Sequence, residues 1–200
     1  MKRILCWVLL SLVVCAMAVG RLQAAGQSLP PAIAGLTPTG ATMSSPTYAK
    51  TPTFANAEFT AEKKLPGNHA AYYKFHLLCS DTSSRLWSMQ EPIYRADTQS
   101  KIDQKRKSFE TGSNPPVSYD AVKETKYAWG TGFTQRVVHH YMGEGTGPDY
   151  VDYRTAYVGM IGGATFELTA DGVPTADEAD QWAKTVAEKA GTISFANLGS

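Results

Sequence analysis

Cysteine is the first scarcity. The chain has three, Cys6, Cys15 and Cys79, and two of them fall in the apolar start of the sequence. A single remaining cysteine cannot close an internal disulfide, and no CxxC spacing for zinc or thiol exchange exists. Cys79 ends an alternating strand pattern and reads as a small buried hydrophobe. Charge is scarce as well, at 18% of residues. Three of the 19 basic residues, Lys2, Arg3 and Arg21, precede residue 25, which leaves 16 against 18 acidic ones. A near-neutral domain offers no electrostatic footprint for nucleic acid. Walker, HExxH, HxH and Gly-x-Ser-x-Gly motifs are all missing, so no cofactor and no metal is expected. None of Asn56, Asn68, Asn114 and Asn197 opens an Asn-x-Ser/Thr sequon. Hydrophobic residues, at 43%, still suffice for one ordinary core.

What is present begins with a leader. Met1, Lys2 and Arg3 precede an apolar run over residues 4–19, which is short for a bilayer span and right for the core of a signal peptide. Small residues near Ala24 place the cleavage there, so residues 1–24 read as a signal peptide. The protein is then periplasmic, envelope-associated or secreted. Membrane attachment arises only if the leader stays uncleaved or if Cys15 is lipidated.

Residues 25–53 hold five prolines among Ala, Thr, Ser and Gly, with Lys50 as their one charge. No period of 2 or 3.6 runs through them, so they read as a flexible tether. Residues 54–200 are then a single domain. Tyr73, Phe75, Leu77 and Cys79 alternate with Tyr72, Lys74, His76 and Leu78 as in a half-buried strand. A short helix over residues 81–90, limited by Pro92, and a polar surface helix over 97–110 follow. Residues 111–116 form a loop.

Strands are expected over residues 122–129, 133–142, 150–161 and 164–170. Gly162-Gly163 makes a tight hairpin between the last two, and residues 143–148 a long glycine-rich turn. These connections specify an antiparallel meander, four to six strands in all. Thr175 and Glu178 form a capping box for a helix to about Ala190, ending at Gly191. Ala179, Trp182, Ala183, Val186 and Ala190 share its apolar face. Residues 192–195 add an edge strand. The fold class is α+β, an antiparallel sheet packed by helices, one of them C-terminal.

The string Tyr153-Arg154-Thr155-Ala156-Tyr157, a hairpin, Thr165-Phe166-Glu167-Leu168-Thr169 and a helix leading to Ile193-Ser194-Phe195 resembles the C-terminal half of PsbP-like and DcrB-like exported domains. The resemblance spans residues 151–195. It implies an α/β/α sandwich and no shared catalytic motif.

Candidate chemistry is sparse. His139 and His140 are strand neighbours, so they face opposite ways and cannot share one metal. Either could serve a hydrolase together with a distant carboxylate. Asp177, Glu178 and Asp180 suit the positive end of a helix dipole. Arg95, Lys101, Lys105, Arg106 and Lys107 are interrupted by Asp97, Asp103 and Glu110, as on a solvated helix face. Tyr127, Trp129, Tyr141, Tyr153 and Tyr157 crowd the meander and are the candidate ligand-binding residues, offering ring faces and hydroxyls. The expected function is a non-enzymatic exported domain that binds an envelope protein or a small apolar ligand. A hydrolase using His139 or His140 is the alternative.

Overall fold

A computed structural model describes residues 28–110, 117–140 and 148–199. The leader, the loop at 111–116, residues 143–147 of the glycine-rich turn and Tyr141 lie outside the described residues. Among those described, no helix is long and apolar enough to cross a membrane.

An eight-stranded antiparallel sheet forms the centre. In chain order it contains β1 (Thr42–Lys50), β2 (Phe54–Lys64), β3 (Ala70–Ser80), β4 (Val117–Tyr119), β5 (Lys123–Tyr127), β6 (Gly130–His139), β7 (Tyr150–Ile161) and β8 (Ala164–Val173). The spatial order is β1-β2-β3-β8-β7-β6, and β4 and β5 share the outer side of β6. Two meanders, β1–β3 and β5–β8, therefore meet along the β3–β8 seam. The expected C-terminal meander is present, but the sheet is larger than four to six strands. The hairpin at Gly162 has φ +53°, a value open to glycine without strain.

One of the added strands, β1, comes from the segment read as a tether, which is a correction; β2 and the short β4 are the others. Pro31–Ala34 forms a single helical turn (α1), and β1 pairs with β2 from Thr42↔Glu62 to Lys50↔Ala55. Ile33, Leu36 and Tyr48 are buried in the main core. β1 shows no alternation because it is an edge strand with one paired side and only Tyr48 buried. Edge strands tolerate Pro46 and the break in register beside Ser45. The bound chain thus starts well before residue 54.

The two expected helices at 81–90 and 97–110 are one, α2 (Trp87–Glu110), with Pro92 inside it. Proline removes one N–H and crowds one carbonyl, and in the second turn of a solvent-facing segment the helix carries that defect. α2 buries Thr98, Ile102 and Phe109, all in its C-terminal part. Its first turns leave Met89 and Ile93 exposed, as is Leu86 just before it. The expected edge strand at 192–195 is absent as well. Ile193 is buried beside a 3-10 turn, Phe195–Leu198, whose Leu198 caps the core.

The C-terminal helix α3 (Ala176–Ala190) matches the expected face. Ala179, Trp182, Ala183, Val186 and Ala190 are buried, with Ala187 beside them. Thr175 accepts a hydrogen bond from the Glu178 amide at 3.2 Å. That is half of a capping box, because the Glu178 carboxylate turns to Lys63 instead.

The faces of the sheet are covered differently. α3, α1 and the C-terminal turn cover one side, over Phe59, Tyr73, Phe75, Leu77, Phe166 and Leu168. α2 lies on the other over Phe133, Ala156 and Val158. The result is helix, sheet, helix.

Candidate functional site

The aromatic residues of the meander come together only in part. Trp129 lies over Gly159, where a side-chain carbon would approach its ring to 2.5 Å. Its ring stacks on Tyr127 at 5.4 Å and meets Phe166 at 4.8 Å. Tyr157 lies over Gly132 and donates to, or accepts from, the Tyr127 hydroxyl at 2.7 Å. Tyr157 is 2% exposed, and burial first of all drives its phenol well above the usual range. Tyr153 is half-buried against the same core, away from this stack. The rings thus fill space and the two hydroxyls satisfy each other. Tyr141 lies outside the described residues.

A cleft of about 520 Å³ opens elsewhere, between residues 35–39 and α3. Its size falls in the range of small-molecule sites. Lys63 of β2 and Tyr73 of β3 contribute from the sheet, and Asp177, Glu178, Gln181, Trp182, Thr185 and Lys189 from α3. Trp182 is held there by its indole N–H, which donates to the Leu36 carbonyl at 3.1 Å, and by an edge contact with Tyr73 at 5.0 Å. The Glu178 carboxylate accepts from the Lys63 ammonium, and its negative charge acts on the Tyr73 hydroxyl. Burial and then Glu178 push the Tyr73 phenol up to about 12, so it remains a proton donor at neutral pH. The cleft therefore offers two ammonium groups, two carboxylates, hydroxyls and an amide against limited apolar wall.

Residue patterns alone did not reveal this cleft. Its outer lip belongs to the segment whose composition suggests a tether, and the spacing of Glu178 from Thr175 points to a helix cap. The only local signal was the placement of Trp182 near the start of an apolar helix face.

The histidines divide as strand geometry requires. His139 Nε2 lies 3.2 Å from Asp152 Oδ2, and that carboxyl is nearly buried. Burial raises Asp152 above the ordinary carboxylate range, with His139 opposing the shift. Tyr150 stands beside His139 and stacks on His69 at 3.7 Å. His140 points to other partners, Ser118 at 3.2 Å from Nε2 and Asp149 at 3.2 Å from Nδ1. Strand β4 brings Ser118 there by pairing with Val138. Among the described residues no group of three or more His, Cys, Asp or Glu is placed to hold a metal ion.

The remaining candidates have structural partners. Asp180 accepts from Thr134 and faces Lys123 at 3.6 Å. Arg95, Lys101, Lys105 and Arg106 pair with Glu91, Asp97, Glu167 and Glu124, which breaks up the basic cluster. Cys79 is 1% exposed, and burial pushes its thiol up to about 11, which suits packing and not nucleophilic attack.

No protein-family model, curated protein or solved structure matches this chain.

Proposed function

We propose that this chain is an exported envelope domain of PsbP-like α/β/α architecture that binds a small molecule in the cleft between residues 35–39 and α3. The leader at residues 1–24 supports export, and the helix-sheet-helix layering supports the architecture. The cleft carries the binding reading. Its charges balance, with Lys63 and Lys189 against Asp177 and Glu178. A ligand of high net charge of either sign meets like charge there, and an apolar one would strip water from unpaired polar groups. A neutral or zwitterionic polar molecule fits the lining best. This replaces the small apolar ligand expected from the sequence with a polar one, at a different place in the fold.

Thermal unfolding of the full chain in a panel of amino acids, sugars, nucleosides and fatty acids tests the reading. A polar member of the panel should raise Tm by mass action. Thr185→Trp, at an exposed cleft position on α3, should abolish that rise while leaving the unliganded Tm nearly unchanged. Stabilisation by fatty acids alone, or a rise that survives Thr185→Trp, would refute it.

A further inference from the structure

The arrangement around His140 is independent of the cleft and shares no residue with it. Asp149 Oδ1 lies 3.2 Å from His140 Nδ1, and a carboxylate that close favours the neutral tautomer with its proton on that nitrogen. Nε2 is then a lone-pair acceptor, and the hydroxyl 3.2 Å away is the donor. The Ser118 proton therefore points at a base whose tautomer is set by a third group. This is the geometry that activates a serine, and it holds whatever the chain order of the three residues. We propose that Ser118, His140 and Asp149 form a nucleophilic serine site that accepts acyl groups from small activated esters.

The strand register supports this assignment. Ser118 pairs with Val138, and His140, two residues on and just past the end of β6, reaches Ser118 with its Nε2. Asp149 immediately precedes β7, the strand on the other side of β6. Strand β4, the residue just past β6 and the residue just before β7 thus meet at one imidazole. All three residues are exposed, so reagent reaches Ser118 without any movement of the core. The same openness limits the substrate class. A water-exposed site stabilises a developing oxyanion poorly, so turnover favours esters whose leaving group departs as a stable phenolate.

The steps balance with groups at hand. Ser118 Oγ bonds to the ester carbonyl carbon as its proton passes to His140 Nε2. The bond from carbon to the leaving oxygen breaks, and the imidazolium gives its proton to that phenolate or alkoxide oxygen, which leaves as the phenol or alcohol. Water then attacks the acyl-serine through the same imidazole, releasing the carboxylic acid and restoring the Ser118 hydroxyl.

Labelling of the full-length protein with diisopropyl fluorophosphate, mapped by peptide mass spectrometry, reads the site directly, with fluoride as leaving group. Ser118 should be modified at least tenfold faster than any other serine, and p-nitrophenyl acetate hydrolysis should be absent in Ser118→Ala. His140→Ala should reduce labelling at least tenfold. Asp149→Asn should reduce it severalfold, since an amide can select the other tautomer. The urea midpoints of all three variants should match the parent. Labelling of Ser118 no faster than that of other exposed serines, or labelling undiminished in His140→Ala, would overturn the proposal. Either outcome leaves the cleft reading standing, because that reading is tested by ligand-dependent Tm and Thr185→Trp.

Discussion

Replacing Trp182 by alanine removes the largest side chain of α3 from between helix and sheet. The indole is 7% exposed, meets Tyr73 edge-on and donates its one N–H to Leu36. Large-to-small changes at buried aromatics cost about 3–5 kcal/mol. Two features set where in that range this one falls. Losing the edge contact with Tyr73 adds about 0.5–1.5 kcal/mol to simple area burial. Against this, Trp182 forms a wall of the cleft, so water can enter the vacated space and solvate the Leu36 carbonyl. The expected cost is therefore near the lower end, about 3 kcal/mol. With a urea slope of about 1–3 kcal/mol/M, the midpoint should fall by roughly 1–3 M. Trp182→Phe keeps a ring on Tyr73 but loses the indole hydrogen bond, at about 1 kcal/mol, and part of the buried ring, so its midpoint should fall between those of the parent and Trp182→Ala. Lys184→Ala, on the exposed face, should move stability by less than about 0.5 kcal/mol. Equilibrium urea unfolding followed by circular dichroism measures all three. An unchanged midpoint for Trp182→Ala would mean that α3 does not depend on this contact, and the packing argument would fail.

Other expectations follow from the same geometry. Gly132→Ala would place a methyl carbon 2.6 Å from the Tyr157 ring, so it should cost about 1–3 kcal/mol in urea unfolding. Deleting residues 1–53 strips Ile33, Leu36 and Tyr48 from the core, and the truncated chain should lose its cooperative thermal transition, whereas a true tether would leave that transition intact. His76 is drawn below its ordinary 6.5, chiefly by burial and then by Lys101, with Glu58 and Glu167 opposing. The folded state then binds fewer protons than the unfolded one, so stability is lost as pH falls from about 6.5 through the lowered value. His76→Gln should flatten that loss, as read from urea midpoints between pH 7 and pH 5.

The C-terminal half was legible because local rules and tertiary structure agree there. β7 and the helix face of Ala179, Trp182, Ala183 and Val186 carry their own periodicities, and glycines mark the turn at 162–163. The N-terminal segment was illegible for the opposite reason. β1 buries one residue, and Tyr48 is recognisable as core only once Leu198 accepts its hydroxyl proton, 150 residues later. Helix α2 misled through Pro92, where a local rule lost to the continuity of a long exposed helix. The cleft and the His140 relay were hidden because both depend on register. Nothing near Ser118 in the chain predicts that β4 will lie beside β6, and nothing near Lys63 predicts Glu178.

The seam between β3 and β8 has a consequence for a chain made from one end to the other. Its partners lie on the order of 90 residues apart, so the pairing closes late. Until β8 emerges, β1, β2 and β3 can form a three-stranded hairpin array whose outer strand, β3, shows a full row of unpaired amides and carbonyls. That strand also carries Tyr73, Phe75 and Leu77 on a face not yet covered by α3. A chain interrupted before residue 164 is therefore a ready template for cross-molecular strand addition. Nascent or truncated forms should be held by a chaperone or aggregate, while the finished chain conceals the same edge in the middle of its sheet.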